Sequence, residues 1–275
     1  MATEVSGVAL IIGAGSGIGL ESALVFAERG ARAVIFADLE LEAAQAGSQK
    51  SKSIATAKDY STLAFGVDVR DRASIDNMVA EIKNKFGRID YAVNCAGVPR
   101  QKEADLSTLD EAEYDLLHDV NAKGLLHCLQ AEINVMKDQE SLSVQGRNGS
   151  RKIGPGSIIC ITSLSAVLAA PKSATYTASK FAARGIIKCA ALENLRSGLR
   201  INEVCPGFTN TPMLQRGIEQ QPAVGQIINK SMPLGRIAEP EEIAHVVHFL
   251  ASPGASFVNG QTLVVDSGVS ISKYA

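Results

Sequence analysis

Short, almost unbroken apolar runs recur along the chain, at Val8–Ile12, Ala33–Phe36, Leu63–Val67, Tyr91–Asn94, Ser157–Thr162, Arg200–Cys205 and Thr262–Val265. A strand covered on both faces reads this way, because neither side of its pleat is left to water. Between the runs lie longer stretches with helical spacing of apolar positions: Ile18–Arg29, Ala73–Phe86, Glu111–Met136, Ala174–Arg196 and Pro240–Leu250. Strands alternating with such helices imply right-handed crossovers, a parallel sheet and helices on both its faces. The pattern predicts an α/β fold: a single doubly wound domain over residues 1–275, with about seven parallel strands. No change of composition marks a second domain, and no internal repeat appears.

Two segments break the rhythm. Asp138–Pro155 is rich in Ser, Gly, Lys and Arg and lacks periodicity, which predicts an exposed loop before the fifth strand. Residues 207–239 carry Pro212, Pro222 and Pro233 and form a long connection, as a lid or substrate-binding region often does. Composition adds little. Hydrophobic residues are 46%, charged residues 20% and the net charge is −2, ordinary values for a globular enzyme-sized chain. The absence of a dense basic block argues against nucleic acid or an anionic membrane as partner. Val8–Ile12 is too short for a signal peptide, and no apolar stretch approaches the ~20 residues that span a bilayer. Cys95, Cys128, Cys160, Cys189 and Cys205 are odd in number, scattered and without a CxxC pair. They read as small hydrophobes, and a reducing, cytoplasmic location is expected.

The first strand runs into Gly13-Ala14-Gly15-Ser16-Gly17-Ile18-Gly19 and then a helix. Glycines there let the backbone turn tightly and approach an anion, while free N–H groups of the helix start point at it. Asp38 follows nineteen residues after Gly19, at the end of the second apolar run. A carboxylate there can accept bonds from the two ribose hydroxyls of a dinucleotide. Its simpler role, capping a helix starting at Leu39, is compatible with that. Farther on, Tyr176-Thr177-Ala178-Ser179-Lys180 opens a predicted helix, so the phenol and the amine lie one turn apart on one face. A free phenol, with a pKa of ~10, is a poor acid or base near neutrality. A neighbouring ammonium favours the phenolate and brings it toward the range useful for proton transfer to a carbonyl oxygen. Ser163, thirteen residues earlier at a strand end, can bond the same oxygen.

In order and spacing, Gly13-x-x-x-Gly17-x-Gly19, Asn94-Cys95-Ala96-Gly97, Asn121, Ser163, Tyr176-x-x-x-Lys180 and Pro206-Gly207 resemble the short-chain dehydrogenase/reductase family. The resemblance runs from Val8 to about Ser270 and implies a Rossmann-like fold. It makes Tyr176 the general acid/base and gives Lys180 two tasks, lowering its pKa and holding the nicotinamide ribose. Ser163 polarises the substrate carbonyl or alcohol, and Asn121 holds a water leading from Lys180 to solvent. The phosphate turn is Gly13, Ser16, Gly17, Ile18 and Gly19, with Asp38 and Leu39 at the adenosine ribose. Asp68 and Val69 meet the adenine ring, Asn94, Ala96 and Gly97 pack beside the adenosine, and Pro206, Gly207, Thr209 and Thr211 flank the nicotinamide. Ile12 stands where the family usually has Thr, Cys95 where it has a second Asn, and Ser267 where Gly is common. The first two departures are expected to alter stability, not chemistry. Asp38 repels a 2′-phosphate. Ser16 stands where NADP-preferring relatives often carry a basic residue, and Leu39-Glu40 adds none. NAD is therefore expected over NADP.

The remaining polar residues carry simpler readings. His245 and His248 lack acidic or Cys partners at metal-ligand spacing and read as packing or surface, so no metal is expected. His118, His127 and Lys123 near Asn121 read as a solvated helix face, with a substrate contact by His118 left open. Arg147, Arg151 and Lys152 read as a solvated loop. Small and apolar residues on more than one side of Glu111–Met136 and Ala174–Arg196 point to a homodimer or homotetramer formed through these helices, as in the family. Phe208, Met213, Leu214, Ile218, Val224, Ile227, Ile228 and Met232 fit an apolar substrate (terpenoid, steroid or polyketide-like), and fit equally a lid packed onto the sheet. The leading expectation is an NAD(H)-dependent oxidoreductase interconverting a secondary alcohol and a ketone. Two alternatives stand beside it: a reductase or isomerase acting on another bond, and a dinucleotide-sensing regulator without turnover. The presence of both Tyr176 and Lys180 weighs against the regulator.

Overall fold

The computed structural model describes residues 5–220, 225, 228 and 232–272. Strands β1 (Val8–Ile12), β2 (Ala33–Asp38), β3 (Ser61–Gly66) and β4 (Tyr91–Asn94) join β7 (Ser157–Ile161), β8 (Arg200–Pro206) and β9 (Thr262–Val265) in one parallel sheet. Its order is β3-β2-β1-β4-β7-β8-β9. The apolar runs are unbroken because successive side chains feed two different cores. Leu10, Ile35 and Ile158 face one layer, Ile11, Phe36 and Ile159 the other. Helices α1 (Gly17–Glu28) and α8 (Pro240–Ala251) cover the second layer through Phe26, Ala27, Ile243 and Val247. On the first lie α3 (Arg72–Phe86), α5 (Leu125–Met136) and α6 (Ala174–Glu193), through Ile75, Leu129 and Ile187. The strand order reverses between β1 and β4. In such sheets that reversal opens a crevice at the carboxyl ends of the strands, which positions everything described below.

Four segments differ from the sequence expectation. Leu41–Ser51 forms a helix, α2. Its buried face is Ala44, Gly47, Ser48 and Ser51, small residues that disguise the helical period; a side chain at Gly47 would press on Leu20 and Phe36. The expected loop Asp138–Pro155 contains an antiparallel hairpin, β5 (Leu142–Gly146) and β6 (Gly149–Gly154). It turns at Gly149 with φ +102 and lies before β7, away from the crevice. Such short strands with polar outward positions give no continuous apolar run to read. The expected helix Glu111–Met136 is interrupted: α4 (Glu111–His118) passes through a π-turn, Asp119–Gly124, into α5. Within residues 207–239, Pro212–Gln220 is helical (α7) and Thr209 bridges Ala238. There Leu214, Ile228 and Met232 pack against Leu164, Ile237 and Val269, whereas Phe208 and Met213 remain exposed. Pro222, Val224 and Ile227 lie outside the described residues.

Candidate active site

β1 ends by donating the Gly13 and Ala14 N–H groups to the Ala37 carbonyl of β2, at 2.8 and 3.0 Å. The chain then turns through Gly13, φ +86, against β4: a Cβ on Gly13 would stand 2.6 Å from the Ala96 nitrogen. A Cβ on Gly19 would overlap the Gly13 carbonyl oxygen. Only glycine permits this approach. Ser16 precedes α1 without a side-chain capping bond, and the first turn holds no acidic residue. The opening N–H groups, Ile18's among them, therefore have no side-chain partner, a donor set suited to a phosphate. Asp38 ends β2 with one carboxylate oxygen accepting from Gly15 N at 2.8 Å and the other from Glu40 N at 3.1 Å. The residue before α2 is Glu40, so Asp38 is not that helix's cap. It stands at the rim of the glycine turn beside exposed Leu39.

Beyond β3, Asp68 is clasped by Arg70, with guanidinium nitrogen to oxygen at 2.6 Å, which holds its carboxyl below the usual range. Val69 is buried, and its carbonyl is 3.1 Å from Nδ1 of the half-buried His127. His118 meets the Tyr114 carbonyl at 2.9 Å and stacks on that ring. At the end of β4, the Asn94 amide turns into the core, so its main chain faces the crevice. Ala96 leads to Gly97, where a Cβ would lie 3.1 Å from Asn121 Oδ1 and 3.3 Å from Lys180 Nζ. The Pro206-Gly207 turn follows β8. Thr209 is buried and donates to the Gly207 carbonyl, and Thr211 meets the glycine turn: a Cβ on Gly17 would lie 3.0 Å from its methyl.

Tyr176 and Lys180 share a face of α6, with Lys180 Nζ 5.5 Å from the phenol ring centroid. Lys180 is only 5% exposed. Asn121 sits inside the π-turn, where the wide coil turns its amide toward α6. It accepts from Val98 N at 2.8 Å and donates to Val98 O at 3.0 Å and Ser179 Oγ at 3.1 Å. Ser163 follows β7, its hydroxyl accepting from Ser165 N at 3.1 Å. Gly97, Asn121 and Lys180 thus meet at one point, and Thr211 closes on Gly17 at another. Of the two histidines considered for a metal, His248 packs edge-on against Phe26 and His245 lies 3.7 Å from Glu241.

A family model described as enoyl-(acyl carrier protein) reductase matches residues 13–270. The short-chain dehydrogenase anuF of Penicillium roqueforti is 41% identical over 271 residues, covering 98% of each chain. The chain belongs to the short-chain dehydrogenase/reductase family. A second short-chain dehydrogenase, srdC of Neurospora crassa, is 39% identical and covers 98% of this chain and 99% of its own. Among solved structures, a 7α-hydroxysteroid dehydrogenase complexed with NADH and 7-oxo glycochenodeoxycholic acid superimposes with a TM-score of 0.83, at 27% identity, over 97% of this chain and 96% of its own. Members of this short-chain family are oxidoreductases that generally use NAD(P) on small molecules. No helix among the described residues is long and apolar enough to cross a membrane.

Three buried carboxylates escaped the sequence reading: Asp90, Glu132 and Glu203. Glu132 and Glu203 are acids in stretches rich in apolar residues, a signal that was available. Glu132 on α5 is fully buried and accepts from Asn94 Nδ2 at 2.8 Å, and burial pushes its carboxyl up to about 8. Glu132 Oε1 and Asn94 Oδ1 have no partner among the described residues. A protonated acid facing an amide satisfies both, each group donating once and accepting once. Protons are therefore held by the fold above the unfolded pKa of 4.5. Stability is expected to fall as pH rises from 4.5 toward 8, by at most about 1.4 kcal/mol per unit, and to level off beyond. Glu132→Gln keeps the paired geometry and should flatten that dependence; urea midpoints between pH 5 and 9 that fall equally in both proteins would contradict the protonated pair.

Proposed function

We propose that this chain is an NAD(H)-dependent oxidoreductase that interconverts a secondary alcohol and a ketone on a small, mostly apolar molecule. The observation that carries the reading is the clasp of Lys180, Asn121 and Gly97 beside Tyr176, at the same sheet edge as the glycine turn. The site fits a dinucleotide: uncapped N–H groups at α1 for the pyrophosphate, and a fixed carboxylate at Asp38 for the ribose. Gly13, Ser16, Gly17, Ile18 and Gly19 form the phosphate turn. Leu39, Asp68, Val69 and the main chain of Asn94 with Ala96 flank the adenosine. Pro206, Gly207, Thr209 and Thr211 border the nicotinamide end. NAD, when bound, supplies the hydride acceptor, and NADH the donor.

The chain's own residues handle the proton. In alcohol oxidation, Tyr176 takes the hydroxyl proton as hydride leaves the same carbon; in reduction it returns the proton to the carbonyl oxygen. Lys180, held almost without solvent contact 5.5 Å from the phenol ring, places a positive charge beside the developing phenolate. Ser163 donates to the substrate oxygen. Asn121 positions a water that passes the proton from Lys180 outward. Exposed Phe208 and Met213 offer an apolar wall, in keeping with the steroid ligand of the hydroxysteroid dehydrogenase relative. Free cysteines fit a reducing, cytoplasmic setting. Exposed Phe181, Leu192 and Leu195, on and just beyond α6, fit self-association into a dimer or tetramer.

Three measurements test the proposal. Absorbance of NADH, followed over a panel of alcohols and ketones, should report turnover that Tyr176→Phe abolishes while NAD affinity stays nearly intact; retained turnover would discard this role for the phenol. Removing the charge in Asp38→Ala should shift the preference from NAD toward NADP, by roughly ten-fold or more if one ribose contact and one repulsion are lost; an unchanged ratio would place the discrimination elsewhere. Sedimentation at micromolar concentration should give a dimer or tetramer, and a monomer would remove the assembly.

A further inference from the structure

Glu203 lies in the middle of β8, completely buried, opposite Cys160 of β7 and Thr262 of β9. A charge in a sheet interior is costly unless it is fully paired, and apolar residues would serve stability as well. Its partners show what it holds together. Oε1 accepts from Thr162 Oγ1 at 2.6 Å, and Oε2 accepts from Thr262 Oγ1 at 2.6 Å. Arg184 of α6 lies 3.7 Å from Oε2 through Nε, and donates through Nη1 to the Ala166 carbonyl at 3.1 Å. Lys188, one turn further along α6, donates to the Gly260 carbonyl at 2.6 Å. Cys205 Sγ lies 3.1 Å from Thr162 Oγ1.

Thr162 and Ala166 bracket the three residues Ser163, Leu164 and Ser165. The loop carrying Ser163 is thus pinned at its start by Glu203 and at its end by Arg184, and the two pins are paired with each other. Arg184 sits two helical turns beyond Tyr176 on the helix that carries Tyr176 and Lys180. One connected network therefore joins the strand end bearing the hydroxyl to the helix bearing the phenol and the amine.

We infer that Glu203 and Arg184 form a positioning pair that fixes Ser163 against Tyr176, an inference that rests on the oxidoreductase reading above. Neither residue touches substrate. They set the height of α6 against the ends of β7 and β8, and with it the spacing of the two groups that meet the substrate oxygen. A misplacement of about 1 Å at such a site costs on the order of a hundred-fold in rate.

The test has two arms. Hydrogen exchange at the Ser165, Ala166 and Val167 amides, which bond Ser163 Oγ, Ser163 O and Leu164 O, reads the loop without turnover. Glu203→Gln and Arg184→Met should each speed exchange there by about ten-fold, through local opening, and leave β1 and α1 unchanged. Arg184→Lys should keep most of the protection. The kinetic arm uses whichever substrate turns over. Both variants should lower kcat about ten- to a hundred-fold at unaltered NADH affinity, and that loss should vanish in a Ser163→Ala background, as expected of residues acting through one group. Unchanged exchange, or an equal kcat loss with and without Ser163, would overturn the inference. Absence of turnover in the unaltered protein would defeat only the oxidoreductase reading, and the exchange arm would still decide. If Glu203→Gln does not fold, Arg184→Met at a third-exposed side chain carries both arms.

Discussion

Where β1 ends, three stretches of backbone meet with no room for a side chain, and the rest of the architecture is arranged around that contact. The Gly13 carbonyl abuts Gly19, so α1 starts immediately above the strand, and Gly13 itself leans on Ala96 beyond β4. The same approach fixes the direction in which β4 continues. Its next residue, Gly97, lies against Lys180 and Asn121. A series of close contacts thus leads from the glycine turn to the helix that carries the phenol. Glycine is required at positions 13 and 19, where a methyl group would run into backbone, and at Gly97 a Cβ would crowd Asn121 and Lys180 at 3.1 and 3.3 Å.

Around this contact the interior departs from the apolar rule. The sheet is mostly Ile, Val, Leu and Ala, but Asn94, Asn121, Lys180 and Thr162 are buried toward its carboxyl end, Glu203 in the middle of β8 and Glu132 on α5. Buried polar groups are costly unless fully bonded, and most of these are bonded across elements, not within them. Asn121 ties the π-turn to Val98 beyond β4 and to α6, and Asn94 ties β4 to α5. An apolar core tolerates small slips between layers. A bonded one has a single register, which the proton transfer proposed for Tyr176 demands.

Much of this was legible from residue order. Strands buried on both faces announce themselves, and β1, β4 and β9 match their apolar runs residue for residue. The glycine turn and the placing of Tyr176 and Lys180 on one face of α6 were readable because each is local: a few residues at fixed spacing create the geometry. What escaped was non-local or disguised. The α2 helix buries Ala, Gly and Ser, which leave no hydrophobic stripe, and the β5–β6 hairpin has no buried face to betray it. Glu132 pairs with Asn94 thirty-eight positions away, and Glu203 with Thr162 forty-one away. Nothing in either neighbourhood announces the partner, although an acid within an apolar run asks for one.

The wide coil at Asp119–Gly124 has a consequence for how this chain can change in length. A π-turn is an α-helix carrying a surplus residue. Deleting one position there would restore ordinary winding and leave everything after it in phase, because six residues of the wide coil turn about as far as five of an α-helix. Cys128, Leu129 and Glu132 would keep their buried places on α5, while the turn that aims Asn121 at Val98 and Ser179 would be lost. The same loss of one codon inside α5 has no surplus to absorb it and re-phases all that follows.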